Sequence, residues 1–145
     1  FALRETAKLR LENGLELLLI SDPGVQLSAA AVCVRAGSWN DPVEFPGMAH
    51  FCEHMLFMGT EKYPNENAFQ ATIADQGGVT NAMTLPDRTV YMFSSNTEGF
   101  LPLLDQFAHF FIDPLFKPSN IAREMHAVDQ EFAKSLEHDG WRMMM

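Results

Sequence analysis

Two histidines and a glutamate fall within five positions of one another, in His50-Phe51-Cys52-Glu53-His54. The run around them, Met48 to Met58, reads as a helix. At about 100° per residue, His54 lies about 40° from His50, and Glu53 about 60° to the other side. All three share one face, and Met48, Phe51, Cys52, Met55 and Leu56 fill the rest. Burying such a polar stripe without partners would cost about 1–3 kcal/mol per unsatisfied group. A divalent metal removes that cost, since histidines at i and i+4 can both reach one ion at about 2.0–2.1 Å. A glutamate beside them is placed to take a proton from activated water. The order His-x-x-Glu-His mirrors His-Glu-x-x-His and leaves the acid next to both ligands. A shuffled chain of this composition would show the pattern about once in a hundred cases, so the motif is moderately specific.

A catalytic zinc takes three protein ligands and keeps one open position. The long helix expected from Asn120 to Met145, capped by Ser119, offers carboxylates. Its apolar stripe is Ile121, Met125, Val128, Phe132 and Leu136. Glu124 and Glu131 lie seven apart at the edge of that stripe. From spacing alone, one could bind the metal while the other holds a histidine N–H. They could equally be two solvated carboxylates on an amphipathic helix.

The elements that must position these groups read as follows. Lys8 to Leu11 and Leu15 to Ile20 form a hairpin about Asn13-Gly14, both residues that accept positive φ. Leu27 to Val34 is a buried strand, and 37–47 is a loop with two prolines. A second helix runs from an Asn65 cap to about Gln76. Strands Val79 to Leu85 and Thr89 to Ser94 join at Pro86-Asp87. Glu98 to Phe111 is a third helix. Strands come first and there is no regular βαβ alternation, which predicts an α+β fold with a mostly antiparallel sheet packed against helices. No linker divides the chain, so residues 1–145 are expected to be one domain.

The hydrophobic fraction of 47% is enough for a core. A net charge of −9 with no Lys/Arg cluster argues against nucleic acid and against anionic membrane surfaces. No apolar run approaches a membrane span, and a soluble protein, cytoplasmic or periplasmic, is expected. Cys33 and Cys52 are too few for a disulfide framework. The start at Phe1 suggests a removed leader or an excerpt. The helical pattern of Trp141 to Met145, with no stop signal, suggests that the parent chain continues.

The segment His50-Phe-Cys-Glu-His-Met-Leu-Phe-Met-Gly-Thr-Glu-Lys-Tyr-Pro resembles the active-site segment of the pitrilysin and insulin-degrading enzyme family, the inverzincins. So do Gly77-Gly-Val-Thr-Asn-Ala, Leu104-Asp-Gln-Phe-Ala-His-Phe-Phe-Ile-Asp-Pro-Leu-Phe and Arg123-Glu-Met-His-Ala-Val-Asp-Gln-Glu. The resemblance covers nearly the whole chain. It implies a layered α/β sandwich of the pitrilysin type and one Zn²⁺ per chain, held by His50, His54 and Glu131. It makes Glu53 the general base and Glu124 the supporting acid. The implied activity is that of a zinc-dependent endopeptidase acting on peptides and small unfolded proteins. Substrate would add as a strand along Thr80, Asn81 and Ala82, gripped by main-chain bonds. From the residues alone, Asn81 could equally be an ordinary strand-end residue.

Enzymes of that family are far longer, with two bowl-shaped halves closing around a chamber. This chain matches the first part of one half. The remaining domains, or a second subunit, are therefore expected partners. The alternative is a non-catalytic subunit, or a metal-binding piece that needs the missing half for activity. S-ribosylhomocysteine lyases also carry His-x-x-Glu-His but take a later cysteine as third ligand, and none follows Cys52. Cys52, about 200° from His50, reads as a small buried apolar residue. His109, His126 and His138 read as structural or solvent-facing. Met143 to Met145 read as a helix end.

Overall fold

The structure is a computed structural model that describes residues 4–136. The expectations for the helix end at 137–145, for His138 and for Met143 to Met145 lie outside the described residues, as does the side chain of Leu136. The elements run β1 (Glu5–Arg10), β2 (Glu16–Ser21), β3 (Leu27–Val34), a 3-10 turn (Ser38–Asn40), α1 (Met48–Leu56), α2 (Ala68–Asp75), β4 (Thr80–Thr84), β5 (Thr89–Asn96), α3 (Thr97–His109) and α4 (Pro118–Leu136).

β1 and β2 pair as the expected antiparallel hairpin, from Glu5 opposite Ser21 to Arg10 opposite Glu16. The turn differs from the expected one. Only Gly14 takes positive φ, at 87°. Asn13 contributes through its side chain, whose Oδ1 accepts from Leu15 N at 3.1 Å. An Asx-type bond of this kind closes a turn without a left-handed asparagine.

The main sheet has the order β3-β5-β4, all antiparallel. The central strand β5 alternates as the period of two requires, with Tyr91, Phe93 and Ser95 buried between partly buried neighbours. Tyr91 and Phe93 point into a cluster completed by Leu56, Phe69, Ile73, Leu103, Phe107 and Phe110. Helices α1, α2 and α3 supply the rest of that layer, so the core lies on one face of the sheet. β3 is half-buried rather than buried. Ala30 and Val32 pack on the core, while Leu27, Ala29, Ala31 and Cys33 on the other face are exposed, because among the described residues helices cover only one face.

Three helix starts differ from the sequence reading. α2 begins after Asn67, and Asn65 Oδ1 accepts from Asn67 N at 3.1 Å outside the helix. α3 begins after Asn96, whose side chain accepts from Gly99 N at 2.8 Å, a standard N-cap. α4 begins at Pro118, which suits the first helical turn because its missing N–H would be unsatisfied there anyway. Ser119 is thus inside the helix and does not cap it.

α4 also corrects the expected stripe. Met125 is 59% and Phe132 53% exposed, whereas Asn120 and Glu124 are buried. The helix docks on α1 by its polar edge. Asn120 Nδ2 donates to Met58 O at 3.3 Å, and Arg123 makes two bonds to the Glu66 carboxylate at 3.0 and 2.9 Å.

Candidate metal centre

α1 is placed by contacts from outside its own sequence. Its N-cap position is Gly47, at φ 89°, which has no side chain to cap with. Asp41 does so from a distance. Its Oδ2 accepts from Gly47 N at 2.7 Å and its Oδ1 from Ala49 N at 2.8 Å. Both bonds are charge-assisted, and the carboxylate suits the positive end of the helix dipole. The 3-10 turn before it is pinned to the β4–β5 turn, with Ser38 N donating to Leu85 O at 3.1 Å and Trp39 N to Pro86 O at 2.8 Å. Gly37 passes so close to that turn that a Cβ would sit 2.0 Å from Leu85 O. Only glycine permits the approach.

On this helix His50 and His54 are partly buried and Glu53 is 8% exposed. The outer side is more open than expected. Cys52 and Met48 are exposed, because no described element covers that flank. Cys52 is thus not the small buried residue anticipated. Its thiol is still partly desolvated by the packed side, which pushes its pKa up. Both cysteines are free.

His50 Nε2 and His54 Nε2 stand 3.2 Å apart, with the rings nearly perpendicular at 81°. From α4, Glu131 Oε2 comes within 3.5 Å of His50 Nε2 and 3.7 Å of His54 Nε2. Three donors about 2.05 Å from one tetrahedral ion would be separated by about 3.3 Å. The observed triangle has that size, and its donor set of two imidazoles and a carboxylate suits zinc. Glu131 is exposed, so the triangle faces open space.

Glu124 reaches the same cluster from behind. Its Oε2 lies 3.2 Å from His54 Nδ1, the ring nitrogen turned away from the triangle. A carboxylate there keeps the proton on Nδ1 and leaves the Nε2 lone pair free to bind a metal. Arg123 Nε donates to Glu124 Oε1 at 3.2 Å. Thus the structure brings together His50, His54, Glu131 and Glu124, while Glu53 lies on the same helix as the histidines and bonds to Thr84. Asp41 and Arg123 were not singled out from sequence. Asp41 acts across a loop, with no local signal to mark it, and only adjacency to Glu124 hinted at Arg123.

Thr80, Asn81 and Ala82 open β4, the outer strand of its sheet, which abuts α1. Asn81 is exposed, Ala82 packs on the core, and Thr80 Oγ1 donates to Met92 O at 3.1 Å. The other described histidines sit apart from the triangle. His109 Nδ1 pairs with Asp113 at 2.9 Å, and the exposed His126 faces Gln130. No described helix is long and apolar enough to cross a membrane.

The family model described as insulinase, peptidase family M16, matches residues 16–144. Insulin-degrading enzyme of Drosophila melanogaster is 51% identical over 140 residues, 97% of this chain and 14% of that protein. Insulin-degrading enzyme of Homo sapiens is 46% identical over the same shares. A putative zinc protease of Schizosaccharomyces pombe, mug138, is 46% identical over 96% of this chain and 14% of its own length. The chain therefore spans about a seventh of these relatives. A crystal structure of pitrilysin superposes with a TM-score of 0.92 at 35% identity, covering 97% of this chain and 15% of that one.

Proposed function

The chain belongs to the insulinase family of peptidases, family M16, and from that membership we propose that residues 1–145 are the zinc-binding catalytic part of a longer endopeptidase. The observation that carries this reading is the triangle of His50 Nε2, His54 Nε2 and Glu131 Oε2, at tetrahedral spacing beside the carboxylate-bearing face of the same helix. His50, His54 and Glu131 would hold one zinc ion. When bound, zinc supplies Lewis acidity, which makes water nucleophilic near neutral pH and polarises a peptide carbonyl.

Glu53 takes the proton from the attacking water and delivers it to the leaving amine. Glu124 holds His54 in the tautomer whose Nε2 faces the triangle. Substrate lies extended along β4 at Thr80, Asn81 and Ala82, where main-chain bonds grip peptides with little regard to side chain. The substrates are peptides and small unfolded proteins, and the rest of the parent chain, or a second subunit, completes the chamber around them.

The test uses the full-length parent protein on an unstructured peptide of mixed sequence, with and without a chelator, beside its Glu53→Gln variant. Chelator-sensitive cleavage that the variant lacks supports the reading. A zinc-loaded wild type that does not cleave points instead to a non-catalytic subunit.

A further inference from the structure

Glu53 is nearly fully buried, and among the described residues its carboxylate has one hydrogen-bond partner. Thr84 Oγ1 donates to Glu53 Oε2 at 2.6 Å. The bond occupies one oxygen and leaves the other to exchange a proton.

Thr84 is itself held from several sides. It is the last residue of β4 and pairs with Thr89, which is buried and donates through Oγ1 to Ala36 O at 2.8 Å. The turn beyond it is closed by Leu85 N donating to Arg88 O at 2.8 Å, and Gly37 packs against that turn. A β-branched side chain on such a strand has few rotamers open to it. The hydroxyl is therefore a fixed point.

The geometry points to Thr84 as a positioning residue that fixes the Glu53 carboxylate for proton transfer, and it couples the base to the same strand that would receive substrate. This inference rests on the reading of Glu53 as the base. Losing the hydroxyl frees a buried carboxylate to rotate, and misplacement of a reacting group by about 1 Å can cost about 100-fold in rate.

The experiment compares full-length wild type with Thr84→Val, which keeps the shape without the hydroxyl, and Thr84→Ser, which keeps the hydroxyl. Glu53→Gln is the control. Thr84→Val is expected to lower kcat about 10–100-fold, with KM and zinc content within about twofold of wild type. Thr84→Ser is expected to recover kcat to within about threefold of wild type. A crystal structure of zinc-loaded Thr84→Val is expected to show the Glu53 carboxylate rotated.

If Thr84→Val loses zinc or fails to fold, Thr84→Ala carries the same comparison. The inference is overturned if the hydroxyl-free variant keeps kcat within threefold of wild type. It is overturned equally if only KM changes, if Thr84→Ser is as impaired as the hydroxyl-free variant, or if the Glu53 carboxylate is unmoved. A Glu53→Gln enzyme that still turns over would remove the base assignment itself. An inactive Glu53→Gln beside an active Thr84→Val would remove only the role of Thr84.

Discussion

Replacing Glu124 tests the division of labour between the two carboxylates of α4. Glu124 is 9% exposed and touches the ring nitrogen of His54 on the far side from the triangle, at 3.2 Å. Glu131 Oε2 lies on the triangle itself. Glu124→Leu leaves His54 Nδ1 without its acceptor and strips Arg123 of one of its two carboxylate partners. Loss of such a supporting acceptor weakens metal binding by about 10–100-fold, or about 1.4–2.7 kcal/mol. Glu124→Gln keeps an oxygen for the hydrogen bond and should lose less. Glu131→Gln replaces the anionic donor of the triangle with a neutral amide and should lose more than either. The assay is zinc affinity of the full-length protein, by competition with a chelator of known strength. Affinity within twofold of wild type for Glu124→Leu would refute the argument. So would a larger loss for Glu124→Gln than for Glu131→Gln, which would exchange the two roles.

Asp41→Ala should destabilise α1 by about 1–2 kcal/mol through loss of its two N-terminal bonds; amide hydrogen exchange of Met48–Leu56 should quicken accordingly, and unchanged protection would count against the distant cap. Phe107→Ala empties the centre of the aromatic cluster, where rings of Phe93, Phe110 and Phe111 lie 5.1–5.7 Å away, and should cost about 3–5 kcal/mol in urea unfolding, whereas a loss below about 1 kcal/mol would show that the site collapses. Glu66 is held below the usual carboxylate range by bonds from Arg123, Asp105 by Lys62 and Tyr63, and Asp22 by Arg4. Because these folded values lie below the unfolded ones, their contribution is complete above about pH 5 and is lost progressively as pH falls through the unfolded and then the folded values. The pairs are exposed and the effect small; a urea midpoint that falls below about pH 5, less steeply in Glu66→Gln, is expected, and an identical slope in the variant would exclude that pair.

The helix that carries His50 and His54 and the succession of strands along the chain could be read from residue spacing because both are local. Leu27–Val34 matched its strand, since seven small and β-branched residues after Leu27, set between turn signals, leave little choice. Placing Glu131 and Glu124 was harder. Periodicity found both on one side of α4 but assigned the buried face to Met125 and Phe132. The helix instead turns Asn120 and Glu124 inward, because hydrogen bonds and ion pairs to Met58, Glu66 and His54 outweigh the apolar stripe among the described residues. The roles of Asp41 and Thr84 were not legible at all. Each acts on a residue that the fold, not the chain, brings near. Helix starts slipped by one or two residues for an ordinary reason: Asn65, Asn67 and Asn96 are all competent caps, and tertiary packing chooses among them.

α4 packs chiefly on α1, and their meeting point is the triangle. In polymer terms, His54 and Glu131 close a loop of roughly 80 residues, for which the length-dependent entropy alone is about 4 kcal/mol. A bound ion would then act as a cross-link of long span. Its affinity would include the work of holding two distant stretches of chain together, and metal loading and helix docking would be one equilibrium. Uptake would be paced by how often α4 closes on α1, and removal of the ion would loosen a whole helix rather than a single side chain.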